Sequence, residues 1–189
     1  MTFEATGGEP AWVADVLRFW LEETPAEARF KKDAAFDAAI TARFGALVNE
    51  LSANPPTALQ LTPRLALAAA IALDQFPRNM FRGTARAFAA DPIALRTARA
   101  AVDAGWDRGF DKDARLFLYL PFEHSEDLAD QERSVALTAG LGDAEYDRYA
   151  VAHFEIVRRF GRFPHRNAAL GRASTPEEIE FLKQPGSSF

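Results

Sequence analysis

Apolar residues recur at the spacing of an α-helix along nearly the whole chain. The first such face consists of Trp12, Val13, Val16, Leu17 and Trp20, which follow the i, i+3, i+4 pattern of one buried stripe. No stretch alternates apolar and polar residues with the period of a β-strand, and no Asn-Gly or Asp-Gly pair marks a hairpin. The pattern therefore predicts an all-α fold of roughly seven or eight helices joined by short loops.

Capping residues and prolines mark the predicted helix boundaries. Thr62-Pro63 and Asp91-Pro92 each combine an N-cap residue with a proline suited to the first turn, and residues 175–178 form a capping box. Pro121 must kink or divide the pattern around it, because proline removes one backbone hydrogen bond. The predicted helices span about 33–51, 62–74, 113–141 and 143–160, with two more beginning at 91 and 175.

The chain has 189 residues, which is enough for one sizeable core and short for two domains. No hinge rich in Gly and Ser divides it. We therefore expect a single all-helical domain over residues 1–189, with flexible ends at residues 1–9 and 184–189.

Charge and cysteine content exclude several classes of protein. The net charge of −5 disfavours nucleic acid as a partner. The chain has no cysteine, which excludes a thiol nucleophile, a cysteine zinc site and any disulfide. Its first residues lack the pattern of a signal peptide, and the apolar run at 65–73 is too short for a membrane span, which needs about 20 residues. We expect a cytoplasmic protein with no membrane partner.

Two helix ends carry similar polar motifs. Residues 73–79 read Leu-Asp-Gln-Phe-Pro-Arg-Asn, and residues 160–167 read Phe-Gly-Arg-Phe-Pro-His-Arg-Asn. Each motif ends a helical pattern with Phe-Pro and then supplies a guanidinium and an amide. If the two ends face each other, Arg78 and Arg166 share one neighbourhood and line a pocket rich in Arg and Asn.

Three predicted helices carry polar residues on the face that should be buried. Asp74 lies four residues before Arg78, so the two can pair on the helix surface. His124 and Gln131 lie two turns apart on the apolar stripe of the 113–141 helix, and His153 lies on that of the next helix. Burying such a group without a partner costs about 1–3 kcal/mol, so each belongs to a hydrogen-bond network or a binding site. All three histidines of the chain fall in these motif-rich stretches, which raises the possibility of a shared site.

Two runs of opposite charge lie near the second motif. Residues 158–172 contain five arginines and no acid, whereas residues 123–132 contain five acids and no Lys or Arg. One interpretation is that the two runs neutralise each other, in which case each exposed ion pair contributes little to stability. The other is that some of the arginines remain available to bind an anionic ligand.

The histidines allow more than one kind of chemistry. His124 and His153, with Asp74 or Glu126, form a possible metal-ligand set, but no close-spaced pair such as H-E-x-x-H supports it, so we predict no metal site. General acid–base catalysis by His124 or His153 is a second possibility. A serine triad and a phosphate loop are disfavoured, because neither the Gly-x-Ser-x-Gly elbow nor a phosphate-binding fingerprint occurs. The sequence identifies no cofactor.

Three longer motifs resemble the signatures of a known family. Residues 73–84 (Leu-Asp-Gln-Phe-Pro-Arg-Asn-Met-Phe-Arg-Gly-Thr) resemble the first signature of the bacterial domain-of-unknown-function family 924. Residues 117–126 (Phe-Leu-Tyr-Leu-Pro-Phe-Glu-His-Ser-Glu) resemble the second, and residues 153–172 the third. With residues 16–20 near the start, the resemblance covers nearly the whole chain.

The resemblance implies an all-helical fold of the tetratricopeptide-like superfamily, built from stacked antiparallel helix pairs. No 34-residue repeat is present, so recognisable tetratricopeptide repeats are not implied. Arg29 stands where the family pattern leads us to expect tryptophan. The family carries no assigned activity, so the resemblance transfers no catalytic residue.

The leading interpretation is a protein that binds a small anionic ligand in a polar pocket between helices. The predicted ligand-binding residues are Asp74, Gln75, Arg78, Asn79, Arg82, His124, Glu126, Gln131, His153, Arg162, His165, Arg166 and Asn167. One alternative is an enzyme, such as a hydrolase or lyase, that uses His124 or His153. Others are a tetratricopeptide-like module that binds a protein partner in a groove, and a polar network that serves folding alone.

Overall fold

The computed structural model describes residues 3–4 and 7–188. Within them the chain forms eight α-helices and no β-strand, which confirms the predicted fold class and helix number. The helices are α1 (Ala11–Leu17), α2 (Ala34–Ala53), α3 (Pro63–Met80), α4 (Asp91–Asp103), α5 (Lys112–Glu123), α6 (Leu128–Ala139), α7 (Ala144–Phe160) and α8 (Pro176–Phe181). The predicted flexible ends include residues 1, 2, 5, 6 and 189, which lie outside the described residues.

Side chains cap four helix starts, and two of these caps, at Thr62 and Thr175, were predicted. The predicted cap at Asp91 is wrong, because Asp91 is the first residue of α4, Ala90 precedes it without a side-chain cap, and the Asp91 carboxylate binds Arg78. The side chains of Asp33 and Asp143 each accept hydrogen bonds from two backbone N–H groups of the following turn. Thr62 accepts one from the first turn of α3, and Thr175 forms both bonds of a capping box with Glu178. Each cap supplies a partner for an N–H group that has none within its own helix.

Helix α3 does not end at Asp74 as the sequence pattern predicts. It continues through Pro77 to Met80, because a proline removes only one helical hydrogen bond and the helix resumes after it. The backbone N–H of Phe81 still donates to the carbonyl of Pro77, at 2.9 Å. The first motif is therefore helical, and its Arg and Asn side chains project from the last turn of α3.

The predicted division of residues 113–141 is confirmed, although the break lies after Pro121 and not at it. Helix α5 ends at Glu123, and Asp127 caps the start of α6. His124 therefore lies in the break and does not share a helical stripe with Gln131. For the same reason Leu128, whose spacing of four residues from His124 fits the apolar stripe of one continuous helix, is 43% exposed.

The chain forms two compact units. The first comprises Met1–Arg82 with Arg86–Pro121, and the second comprises Gly83–Ala85 with Phe122–Phe189. The prediction of a single domain over residues 1–189 stays a prediction. In the described part of the chain, every helix is too short or too polar to cross a lipid bilayer.

Helix α3 is the centre of the first unit, where it packs against α1, α2 and α4. All of its residues from Leu65 to Pro77 are buried, as expected for a helix that is apolar on every side. In the second unit α6 packs on α7, and an apolar cluster joins α7 to the segments after it. That cluster consists of Ile156, Val157 and Phe163, with Phe160 and Phe181 packed against it.

Candidate functional site

In the first unit, Arg78 binds two carboxylates. Its Nη1 lies 3.3 Å from Oδ1 of Asp74, one turn earlier on α3, as the i, i+4 spacing predicts. The guanidinium also donates to both oxygens of Asp91, at 2.9 and 3.0 Å, and so ties the start of α4 to the end of α3. Burial alone would lower the pKa of Arg78, but the two carboxylates raise it above its ordinary value. Gln75 adds a hydrogen bond to the buried carboxylate of Asp74.

Asp37 of α2 gathers the other polar side chains of the first motif. It accepts a hydrogen bond from Nδ2 of Asn79 at 2.8 Å, and two from Arg82 at 2.6 and 2.9 Å. Burial would raise the pKa of Asp37, but these hydrogen bonds hold it below its ordinary value. Sequence reasoning missed Asp37 and Asp91 because both partners come from other helices.

Glu178 holds the second motif in place from α8. Its carboxylate is 2% exposed and accepts two hydrogen bonds from Arg162, at 2.7 and 2.8 Å. It also accepts one from the backbone of Thr175 at 2.7 Å and a longer one from Asn167 at 3.3 Å. The hydrogen bond from Arg162 is the main cause that lowers the pKa of Glu178 to about 2.

Glu126 anchors the same motif from the break between α5 and α6. It accepts two hydrogen bonds from Arg172, at 2.7 and 2.9 Å, and one from the backbone N–H of Phe163 at 2.8 Å. Arg172 also donates to Oδ1 of Asn167 at 2.9 Å. Burial would raise the pKa of Glu126, but the hydrogen bonds from Arg172 and Phe163 hold it below its ordinary value.

The pair of Arg172 and Glu126 joins the two charged runs predicted from the sequence. Other arginines of the basic run bind carboxylates that lie outside the acidic run: Arg158 binds Glu155, Arg159 binds Glu177, and Arg162 binds Glu178. The basic run at residues 158–172 is therefore neutralised only in part by the acidic run at residues 123–132, and in part by carboxylates outside that run.

His153 of α7 forms a buried pair with Glu123, the last residue of α5. Its Nδ1 lies 3.0 Å from Oε1 of Glu123 and 2.9 Å from the backbone carbonyl of Tyr149. Both neighbouring atoms are acceptors, so Nδ1 carries the proton, and the ring is held in one tautomer and one orientation. Both side chains are almost fully buried, at 6% and 3% exposure.

Gln131 closes the break between α5 and α6. Its side-chain amide is fully buried and donates to the backbone carbonyls of Glu123 and Ser125, at 2.5 and 2.6 Å. The role observed for Gln131 is therefore to hold the chain that carries Glu123. It also fixes the segment that contains His124.

His153, His165 and Arg166 gather around Phe163, and His124 lies beside His153. The ring of His153 lies 5.6 Å from that of Phe163, and the ring of His165 lies 5.5 Å from it. The guanidinium carbon of Arg166 lies 4.4 Å from the centre of the same ring, and His124 lies 6.0 Å from His153. The phenyl ring is fully buried, and Arg166 is 6% exposed.

The structure thus places the predicted site residues in separate groups. In the first unit Asp74, Gln75 and Arg78 form one group, and Asn79 with Arg82 form another around Asp37. The second unit holds the group around Phe163 and the arginine clamps at Glu126 and Glu178. The prediction that both motifs share one pocket spans the two units and stays a prediction. No three His, Asp or Glu side chains among residues 3–4 and 7–188 are placed to hold a metal ion.

The Glu178 carboxylate stabilises the folded chain, and this contribution is lost on acidification. Its pKa is about 2 in the fold against an ordinary 4.5, so the stabilisation is complete above about pH 4.5 and disappears as the pH falls toward 2. We expect Glu178→Gln to lower the melting temperature at pH 7, with the two proteins converging near pH 2. Melting temperatures measured across this range test it, and parallel curves would contradict the assignment.

The comparisons with known proteins agree with these motifs. The family model described as "Bacterial protein of unknown function (DUF924)" matches residues 16–186. The chain belongs to this family. A solved structure, that of a protein of unknown function from Agrobacterium tumefaciens, is 42% identical to this chain with a TM-score of 0.85, and the match covers 92% of this chain and 97% of that one. No curated protein matches the sequence. Membership in DUF924 confirms the resemblance seen in the sequence. Because the function of this family is unknown, membership does not tell us what the protein does.

Proposed function

We propose that this DUF924 protein is a cytoplasmic protein that binds a small anionic metabolite at the cluster around Phe163. The cluster comprises His124, His153, His165 and Arg166, together with the Glu123 carboxylate that orients His153. The observation that carries the proposal is the convergence of His153, His165 and Arg166 on one buried phenyl ring, with His124 beside His153.

The burial of this cluster favours a function over a purely structural role. Replacing a buried polar or ionic pair with well-packed apolar residues is often neutral or stabilising, so stability alone does not require His153 and Glu123. Apolar contacts already join α7 to the segments after it, through Ile156, Val157 and Phe163.

The chemistry of the cluster favours an anion. A guanidinium is a planar donor fork that matches carboxylate and phosphate, and its stacking on Phe163 fixes the orientation of Arg166. Arg162 and Arg172 bind Glu178 and Glu126, and these two arginines clamp the loop that carries the cluster.

General acid–base catalysis is the second candidate function. The Nδ1–H of His153 donates to Glu123, an arrangement that leaves Nε2 as the ring nitrogen for proton transfer. Any compound that binds should therefore be followed for turnover by NMR. If the compound is chemically changed by the wild-type protein, and His153→Asn still binds it but no longer changes it, a hydrolase or lyase is favoured.

A tetratricopeptide-like module with a protein partner is a further proposal. Failure of all small anions to bind would favour it.

We expect an anionic metabolite to raise the melting temperature of the protein. At 100 times its dissociation constant a ligand adds about 2.7 kcal/mol, which corresponds to a rise of roughly 5–10 °C for a chain of this size. A thermal-shift screen with inorganic phosphate, citrate and sugar phosphates tests this. Arg166→Ala should abolish the response, whereas Arg148→Ala, at a 69% exposed position of α7, should retain it.

A response retained in Arg166→Ala would contradict the assignment of the cluster as the site. A flat screen across carboxylates and phosphates would contradict the anionic ligand. Melting temperatures of the unliganded variants show whether Arg166→Ala is folded, so a loss of binding is separated from a loss of structure.

A further inference from the structure

Two buried polar atoms of helix α6 have no hydrogen-bond partner within the described part of the chain. Gln131 and Ser134 are both fully buried, and neither Oε1 of Gln131 nor Oγ of Ser134 forms a hydrogen bond with residues 3–4 or 7–188. The two residues are three apart on α6, so their side chains are neighbours on one face of the helix. Because an unpaired buried donor or acceptor costs stability, two such atoms on one face indicate a role other than stabilising the fold.

The hydroxyl of Ser134 differs from that of Thr138, which is also fully buried on the same face of α6. Thr138 donates to the backbone carbonyl of Ser134 at 3.0 Å, a bond that Ser and Thr commonly form within a helix. Thr97 of α4 and Ser52 of α2 form the same kind of bond, at 3.0 and 2.6 Å. In the described structure Ser134 does not donate in this way to the carbonyl of Asp130. Its hydroxyl is therefore available to a group from outside the chain.

The amide of Gln131 places these two atoms next to the proposed anion site. Its Nε2 donates to the backbone carbonyls of Glu123 and Ser125, at 2.5 and 2.6 Å, and these two residues flank His124. The carboxylate of Glu123 in turn binds His153 at 3.0 Å. His153 is one of the buried residues of α7, the helix on which α6 packs. The polar face of α6 therefore adjoins two histidines of that site.

We propose that Gln131 and Ser134 form a subsite for an alcohol group of the anionic ligand. The alcohol donates to Oε1 of Gln131 and accepts from the hydroxyl of Ser134, so both atoms gain a partner. One acceptor and one donor suffice for an alcohol, whereas a buried water typically makes about three hydrogen bonds. The ligand class is therefore a hydroxylated anion, such as a hydroxycarboxylate or a sugar phosphate. This inference rests on the proposed anion site and adds the class of ligand to it.

Pairs of anions that differ in their hydroxyl groups test the subsite. L-malate is paired with succinate, citrate with tricarballylate, and glycerol 3-phosphate with propyl phosphate, and binding is measured by isothermal titration calorimetry. We expect the hydroxylated member of the pair that binds to bind more tightly by about tenfold or more, because a site built to bond a hydroxyl group rejects the analogue that lacks it. Ser134→Ala should weaken binding of the hydroxylated member by about tenfold and leave binding of the other member unchanged.

The outcomes separate this subsite from the anion site on which it rests. Equal affinities for the two members of a pair would overturn the subsite and leave the anion site standing. Equal losses of affinity for both members in Ser134→Ala would also overturn it, because the substitution then acts on the site as a whole. If none of the six anions binds, the proposed anion site fails and the subsite fails with it.

The stability of the unliganded variants tests the subsite without any ligand. Because Ser134→Ala removes an unpaired hydroxyl and alanine favours a helix, we expect the melting temperature to stay the same or rise. Thr138→Val is the matched control, since it keeps the side-chain volume but removes a hydroxyl that has a partner, and it should lower the melting temperature. A loss in Ser134→Ala as large as that in Thr138→Val would show that the Ser134 hydroxyl already has a partner, such as a resident water, and would overturn the proposal.

Discussion

Replacing Phe76 by alanine is expected to lower the free energy of unfolding of the first unit by about 3–5 kcal/mol. The Phe76 ring is fully buried at the centre of an aromatic cluster. Its centre lies 4.7 Å from that of Phe44, 5.5 Å from Trp20 and 6.2 Å from Phe19. Truncation removes these contacts and leaves a cavity that the rigid helix α3 cannot close. Urea unfolding followed by tryptophan fluorescence measures the change.

Two other substitutions control for this effect. Phe76→Leu keeps most of the side-chain volume and should cost about 1.5 kcal/mol or less if the site repacks. Phe30→Ala, at a position that is 60% exposed, should cost less than Phe76→Ala by about 2 kcal/mol or more. If Phe76→Ala and Phe30→Ala destabilise the chain equally, Phe76 is not at the centre of the core.

Glu126→Ala is expected to cost about 2–4 kcal/mol, because it removes one partner of a partly buried charge pair. The substitution leaves the guanidinium of Arg172 and the backbone N–H of Phe163 without the oxygens that they now bind. It also frees the loop that positions the ring of Phe163. We therefore expect weaker anion binding at the cluster along with the loss of stability, measured by urea unfolding and by the thermal-shift response.

A matched exposed pair provides the control for Glu126. Glu155→Ala breaks the pair with Arg158 on the surface of α7 and should change the free energy of unfolding by about 0.5 kcal/mol or less. Glu126→Gln retains one acceptor oxygen for Phe163 or Arg172 and should cost less than Glu126→Ala. Equal losses for Glu155→Ala and Glu126→Ala would show that the Glu126 clamp contributes no more than a surface ion pair.

Helix positions could be predicted from the sequence wherever local signals decide them. The caps at Thr62 and Thr175 depend on residues within one turn, and both form as predicted. The end of α3 and the break after α5 were predicted less well, because a proline specifies only one missing hydrogen bond. Whether the helix resumes after Pro77 depends on the burial of the helix around it.

The candidate site could be predicted only in part. The i, i+4 pair of Asp74 and Arg78 follows from helix geometry and is present. Carboxylates that lie far away in the sequence, such as Asp37 and Glu178, could not be assigned to Arg82 and Arg162 because tertiary packing selects them. The histidines were identified as candidates, but the phenyl ring that gathers them was not, since an apolar residue in a motif gives no sign of its neighbours.

The arginines of the two motifs have different roles in this account. Arg78 and Arg82 in the first unit, and Arg162 and Arg172 in the second, bind carboxylates from other segments and hold the ends of helices together. Arg166 stacks on Phe163, and we propose that it also contacts the ligand. This division explains how one motif can contribute to stability and to binding.

The imidazole NMR spectrum tests the central claim most directly, because the chain has only three histidines and each gives its own signals. The spectrum would be recorded with and without the anion that gives the largest thermal shift. The account predicts that His153 and His165 shift in a saturable manner, and that Arg166→Ala removes the change. If the anion raises the melting temperature but leaves all three histidine signals unchanged, the binding site is not at Phe163.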